Sequence, residues 1–314
     1  MENRLDGASG DNAVIICAAR GLVQRVIRFC FGVPALEGVA LWLLHYAIAV
    51  FRRVCDDTPI AAVIDGDIHM GLRLTSLLES NLYFLGMDGK DRGEVVLLRR
   101  LTKPGMTCLD IGGNVGQIAL LLAKRAAPAH VHVFEPSSAN HARLLDNIAR
   151  NRFNNITVTR AAVSNNTDPL TLHIPRTYNT GAVSLYPDAS WTSDTEIVPT
   201  VRLDEYAAVH ALTQVDLIKI DVEGAEMDVL EGADALLKAH RPLVLMEATQ
   251  TIVERAGRTL EEIFAFWMGR DYRLYQVDRR GGLHAVTRAS DLGVDQNLCC
   301  VPSERADALI AALS

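Results

Sequence analysis

The run Cys108-Leu109-Asp110-Ile111-Gly112-Gly113-Asn114-Val115-Gly116 decides how the rest of this chain is read. Met106 to Ile111 reads as a short buried strand. Ile118, Leu121, Leu122 and Arg125 then recur at helical spacing within Gln117 to Arg125. A strand that turns into a helix through glycines presents backbone N–H groups and the positive end of a helix to a ligand. The expectation is a nucleotide-like cofactor cradled at this turn. Which cofactor, and which reaction, must come from the residues around it.

Downstream, strand and helix alternate as in βαβ units. His130 to Phe134 reads as a second strand ending at Glu135-Pro136, followed by a helix from Ser138 to Arg150. Ile156 to Thr159 is a third strand, and Val215 to Ile220 a fourth that runs into Asp221-Val222-Glu223-Gly224 and a helix from Ala225 to Lys238. Leu243 to Met246 is a fifth, ending at Glu247. A helix at Leu260 to Met268 and strands at Arg273 to Val277 and Leu298 to Val301 complete a seven-stranded, mostly parallel sheet with helices on both faces. The last two strands lack an intervening helix and read as an antiparallel edge. Between the third and fourth strands, Leu170–Ile174, Ala182–Leu185 and Glu196–Val201 are short β runs joined by Pro, Asn, Thr, Ser and Gly. They read as an inserted β segment above the sheet, where substrate contacts tend to sit.

Upstream, the composition changes. Ala13 to Val54 carries five arginines (Arg20, Arg25, Arg28, Arg52, Arg53) against one acid, Glu37. Arg20, Gln24 and Arg28 fall at i, i+4 and i+8 and read as one basic face of an amphipathic helix. After Gly32-Val33-Pro34, Gly38 to Phe51 is apolar apart from His45, but shorter than the roughly 20 apolar residues that span a bilayer. Two readings stay open: a helix pair on an anionic membrane surface or a partner, and a helical cap or homodimer contact. Ile60 to Leu74 reads as a hairpin turning at Asp65-Gly66. The expected division is an N-terminal helical segment with its hairpin over 1–80 and a cofactor-binding domain over 81–314.

Composition narrows the partners. A formal charge of −7, from 31 Lys and Arg against 38 Asp and Glu, opposes a nucleic-acid-binding surface, which needs clustered cations. The six cysteines show neither C-x-x-C spacing nor Cys/His clusters, as in a reduced cytoplasmic protein. Met1 to Asn12 is polar and lacks the apolar core of a signal peptide.

The cofactor question turns on Asp110. A dinucleotide site would carry G-x-G-x-x-G directly after its strand. Here the glycines are Gly112, Gly113 and Gly116, and an acid precedes them. A pyrophosphate on this turn would meet the Asp110 carboxylate, whereas a cationic ligand would gain from it. S-adenosylmethionine has no phosphate and carries a sulfonium and an ammonium, so an acid here favours it over NAD. Glu135, ending the second strand, suits the ribose hydroxyls of either cofactor.

At this point the chain resembles the FkbM-type methyltransferases. The likeness rests on Asp110-Ile111-Gly112-Gly113-Asn114-Val115-Gly116, Phe134-Glu135-Pro136, Asn179-Thr180-Gly181 with Ser184, Leu203-Asp204, and above all Leu217-Ile218-Lys219-Ile220-Asp221-Val222-Glu223-Gly224-Ala225-Glu226. It covers about residues 60 to 280. Gly113 departs from it, since alanine is usual there, and is expected only to loosen the turn. The resemblance implies a class I methyltransferase (Rossmann-like) fold with strand order 3-2-1-4-5-7-6, S-adenosylmethionine as cofactor, and O-methylation of a sugar or other secondary-metabolite hydroxyl. The other reading is a membrane-associated or scaffold protein that binds S-adenosylmethionine without turnover.

Asp110, Gly112, Asn114 and Gly116 are then expected along the methionine end of the cofactor, with Glu135 on the ribose and Ala162 and Val163 beside the adenine. Asn179, Thr180 and Ser184 are expected on the acceptor side. Methyl transfer to an alcohol needs alignment and removal of the hydroxyl proton. The candidates for that base or for an acceptor anchor are Asp221 first, then Glu223 and Glu247. Lys219 shares a strand face with Asp221 and is expected to hold it as the carboxylate. Glu226 reads as a first-turn acid serving its helix dipole. No metal is assigned, although the three acids are the residue type that holds a divalent cation.

Overall fold

The structure, a computed structural model, describes residues 10–86, 92–177 and 181–313, with backbone alone for 10–18 and 34. The chain divides into two compact units, Met1–Gly89 and Lys90–Ser314.

In the larger unit, eight strands form one sheet: β1 (Cys108–Ile111), β2 (Val131–Phe134), β3 (Ile156–Thr159), β4 (Leu217–Ile220), β5 (Leu243–Glu247), β6 (Tyr272–Val277), β7 (Leu283–Val286) and β8 (Asn297–Pro302). Their spatial order is β7-β6-β8-β5-β4-β1-β2-β3. β8 runs antiparallel to both β5 and β6, and β7 runs antiparallel to β6. The four pairs among β5, β4, β1, β2 and β3 are parallel. The expected order 3-2-1-4-5-7-6 is therefore present, but the strand count of seven is corrected to eight. The additional strand folds back on β6 through a tight turn in which Gly281 donates to the Asp278 carbonyl and the Asp278 carboxylate accepts from Arg280 and Gly282. Leu283–Val286 is short and half exposed, so it carries no apolar signature in the sequence.

β1, β4 and β5 are buried along their whole length, which is why they read as apolar runs. The main core packs Leu109, Ile111, Phe134, Ile218, Ile220 and Val244 against Trp267 and Leu260 of helix Leu260–Met268. That helix has the bounds read from the sequence, and a Thr259/Glu262 capping box starts it. The helix expected over Ala225–Lys238 is instead two short ones, Glu226–Glu231 and Asp234–His240. At the break, a Cβ on Gly232 would lie 2.1 Å from the Ser164 carbonyl. The strand order reverses between β1 and β4, and ligands of such sheets bind beyond the carboxyl ends of the strands at that point.

The inserted segment forms a separate hairpin, Leu170–Pro175 with Ser193–Val198. Ala182–Leu185, expected as a strand, makes one bridge, His173 with Ser184. Ala162–Val163 pairs in parallel with Thr200–Val201.

The smaller unit consists of helices Gly10–Phe31, Glu37–Val54 and Leu77–Leu85 and a hairpin, Ile60–Ile64 with Ile68–Leu72. Asp65 and Gly66 both take left-handed φ at the hairpin turn. Helix Leu77–Leu85 belongs to this unit. The basic stripe expected on the first helix meets helix Leu77–Leu85: Gln24 donates to the Tyr83 carbonyl, Arg28 to those of Tyr83 and Phe84, and the Arg20 guanidinium lies over the Tyr83 ring. These side chains cap the carboxyl end of Leu77–Leu85, where helix carbonyls lack partners.

Candidate active site

The turn after β1 is fastened to its neighbours. Gly112 and Gly113 both donate to the Phe134 carbonyl at 2.9 Å, Asn114 N–H donates to Glu135 Oε2 at 2.8 Å, and Gly116 N–H to the Gly113 carbonyl at 2.8 Å. Four donors of the expected cradle are thus engaged by β2 and by the turn itself, so the turn does not offer them to an anion. Gly112 has φ +89, and a Cβ there would lie 1.9 Å from the Asp221 carbonyl oxygen. Only glycine lets the exits of β1 and β4 approach this closely. Gly113 does more than loosen the turn: a Cβ there would fall 2.3 Å from Val133 Cγ1. Gly116, also left-handed, backs onto Leu144.

What the turn leaves unsatisfied is acceptor capacity. Asp110 is fully buried and neither carboxylate oxygen makes a well-formed hydrogen bond, although the Ala119 N–H and the Lys219 ammonium both pull on it. Burial pushes its pKa up to about 6, while Lys219 pulls it back and Asp221 adds to the rise. The Asn114 Oδ1 is also buried without a partner. Buried acceptors are paired as a rule, so these two, one in β1 and one in the turn after it, are groups that a cationic or donor-bearing ligand could satisfy.

Glu135, at the end of β2, accepts the Ser137 and Asn114 N–H groups, one on each oxygen. Burial raises its pKa to about 7 against the pull of those two N–H groups. Each oxygen keeps a second lone pair for a hydroxyl. Ala162 and Val163 lie just past β3, on the far side of β2 from the turn. Both are buried, and Val163 belongs to the main core.

The acids after β4 and β5 converge. Carboxylate oxygens of Asp221, Glu223 and Glu247 lie within 4.8 Å of one another, a donor set that could hold a metal ion. Lys219 is buried behind them with Nζ 2.6 Å from Asp221 Oδ2. Burial alone would lower its pKa, but the carboxylates of Asp221, Glu94 and Asp110 outweigh that and hold the ammonium above its usual value. The Asp221 side chain remains about a third exposed. Glu223 and Gly224 take left-handed φ, so the chain turns sharply here.

Several residues around that loop carry more than their local sequence announced. Glu226, read as a dipole acid, reaches back to accept the N–H groups of Val222 and Gly224. Burial raises its pKa to about 7. Ser184, expected beside the acceptor, is buried, and its hydroxyl bonds the Glu223 carbonyl at 2.6 Å, tying the inserted segment to the loop. Arg255 donates to the same carbonyl and lies over the Trp191 ring. Nothing in the spacing of Arg255 or Trp191 signals this. Asn179 and Thr180 lie outside the described residues. His132 shares its strand face with His130, but its Nδ1 bonds the Tyr206 hydroxyl and burial lowers its pKa to about 4.

The model of the methyltransferase FkbM domain matches residues 110–274, more than half of the chain. The chain belongs to the FkbM methyltransferase family. This FkbM chain is 30% identical over 232 residues to the AMB antimetabolite synthetase AmbE of Pseudomonas aeruginosa, a match that covers 62% of the chain and 10% of that protein. It is 27% identical over 143 residues to Methyltransferase 1 of Beauveria bassiana, covering 40% of the chain and 57% of that protein. It thus spans a tenth and just over half of these two relatives. Among solved structures, an FkbM methyltransferase from Methylobacillus flagellatus aligns with TM-score 0.40 and 19% identity, covering 62% of this chain and 43% of the other. An O-methyltransferase from Bacillus cereus solved with S-adenosylhomocysteine aligns with TM-score 0.38 and 15% identity, over 68% and 80%.

The fold of this FkbM chain is that of the class I methyltransferases, and its cofactor is S-adenosylmethionine. The residues fit that cofactor. An orphaned carboxylate at Asp110 and an orphaned Asn114 oxygen suit its ammonium, Glu135 suits the ribose, and the N–H groups of Gly112, Gly113, Asn114 and Gly116 are already engaged rather than turned to a pyrophosphate.

Proposed function

We propose that this chain transfers a methyl group to a hydroxyl oxygen of a small acceptor, a sugar or secondary metabolite. The observation that carries the reading is the convergence of Asp221, Glu223 and Glu247 at the carboxyl ends of β4 and β5, beside the turn that follows Asp110 and β1. S-adenosylmethionine, when bound, supplies a methyl group already activated by the positive sulfur. The chain's own residues must then align an acceptor hydroxyl and take its proton, because an alcohol is a weak nucleophile at neutral pH. Asp221 is the base in this reading. Its carboxylate is partly open, and Lys219 fixes it from the buried side. Glu223 and Glu247 anchor the acceptor hydroxyls, with Asn179 and Thr180 as further contacts, while Ala162 and Val163 flank the adenine. Ser184 serves the acceptor side by holding the Glu223 loop.

Asp221→Asn tests the assignment. It is expected to leave S-adenosylmethionine affinity in calorimetry nearly unchanged and to lower kcat about 10²–10⁴-fold on a hydroxylated acceptor found by panel screening. Loss of cofactor binding in the variant would move Asp221 into the cofactor shell. Transfer confined to amine or thiol acceptors would overturn the hydroxyl reading.

A further inference from the structure

With Arg20, Gln24 and Arg28 engaged on helix Leu77–Leu85, the first two helices expose apolar and aromatic stripes among their described side chains. On Gly10–Phe31, Leu22, Val26 and Phe29 fall at i, i+4 and i+7 and are exposed, Phe29 to 69%. On Glu37–Val54, Val39, Trp42 and Tyr46 fall at i, i+3 and i+7 and are also exposed, Trp42 to 66% and Tyr46 to 63%. The Trp42 and Tyr46 rings stack with centroids 6.2 Å apart. The opposite faces, with Ile27, Ala40, Leu44, Ala47 and Phe51, are buried, so these outward residues are not what holds the unit together.

Cations border the same stripes. Arg25 is exposed between Leu22 and Phe29, and Arg53 is exposed seven residues beyond Tyr46, on the same helical face. Of the five arginines from 13 to 54, Arg25, Arg52 and Arg53 lie off the stripe that meets Tyr83 and Phe84 and are exposed, against one acid, Glu37, in a chain of net charge −7. Among the described residues no helix is long and apolar enough to cross a membrane.

We infer that this face docks onto an anionic lipid surface. Trp, Tyr and Phe rings suit the depth of lipid headgroups, with an apolar body and, for Trp and Tyr, a polar tip. Flanking arginines suit the negative surface potential of anionic lipid. A second copy of the chain is the poorer occupant, because a two-fold pairing would set Arg25 and Arg53 against a surface carrying the same charges.

The test uses full-length protein spun with vesicles of phosphatidylcholine alone and of phosphatidylcholine with phosphatidylglycerol. Pelleting with the anionic vesicles only, weakened by salt, is the expected result. Arg25→Gln with Arg53→Gln should lower the partition roughly thirtyfold, the equivalent of about 2 kcal/mol for two arginine charges. Phe29→Ser with Trp42→Ser should abolish pelleting and leave the melting temperature near that of the parent, since both side chains are exposed. Failure of the parent protein to bind anionic vesicles would overturn the inference. So would binding that neither pair of substitutions weakens. A parent protein that is dimeric without vesicles, ignores them, and becomes monomeric with the aromatic substitutions would assign the face to a second copy instead.

Discussion

Replacing Lys219 with methionine removes the cation buried among the acids of the site while keeping most of its apolar stem. Lys219 lies 2.6 Å from Asp221 and is held above its usual pKa by Asp221, Glu94 and Asp110, against the opposing effect of burial. Removing one partner of a buried pair costs about 3–5 kcal/mol; with Asp221 about a third exposed the lower end, about 3 kcal/mol, applies, set mainly by the buried Asp110 and Glu94 left behind. For a unit of this size that is a fall of roughly 10 °C in Tm. The pH dependence has a definite sign. A lysine whose folded pKa lies above its unfolded value contributes fully below the unfolded value of about 10.5 and is lost only as pH rises through the folded value. Assays near neutrality therefore see the whole loss. Asp110, pushed up to about 6 mainly by burial, would lose the pull of Lys219 and rise further. A raised carboxyl costs stability above its folded pKa, and that cost is relieved as pH falls towards the unfolded value. Scanning calorimetry should thus show a large deficit for Lys219→Met at mildly alkaline pH that narrows on acidification. Titration with S-adenosylmethionine alongside should show kcat falling more than donor affinity. A variant that melts with the parent across this range would refute the claim that the ammonium balances these carboxylates.

Gly112→Ala forces a left-handed residue to carry a Cβ 1.9 Å from the Asp221 carbonyl. It should cost about 2–5 kcal/mol in denaturant unfolding, and a stability equal to that of the parent would mean the exits of β1 and β4 do not touch. Asp110→Asn removes a buried carboxylate whose burial outweighs the pull of Lys219 and the Ala119 N–H, so the cofactor-free protein should melt higher while S-adenosylmethionine binds roughly 10–100-fold more weakly. In the parent protein, donor affinity should fall about tenfold per pH unit as pH drops below the Asp110 value of about 6. Affinity that stays flat through that range would remove Asp110 from the cofactor site.

The sequence by itself determined the class of fold, the cofactor and the strand ends that carry the acids. It could do so because those features are local. Buried parallel strands must be apolar runs, a strand-to-helix turn at close quarters needs glycine, and Asp110 is conspicuous as an acid inside such a strand. By sequence the turn is a set of free N–H donors, and only the pairing of β1 with β2 shows that Phe134 and Glu135 take three of them, those of Gly112, Gly113 and Asn114. The convergence of Asp221, Glu223 and Glu247 also needed the neighbouring strands β4 and β5 to be laid side by side. Arg255, Ser184 and Glu226 act on the same loop from chain positions up to 71 residues apart, so no spacing rule could join them. The first helix shows the limit most clearly. Periodicity fixes which residues share a face, but which face meets the rest of the unit depends on what waits there. Here the carbonyls at the end of helix Leu77–Leu85, which lack partners within that helix, engage Gln24 and Arg28 and leave Phe29 outside.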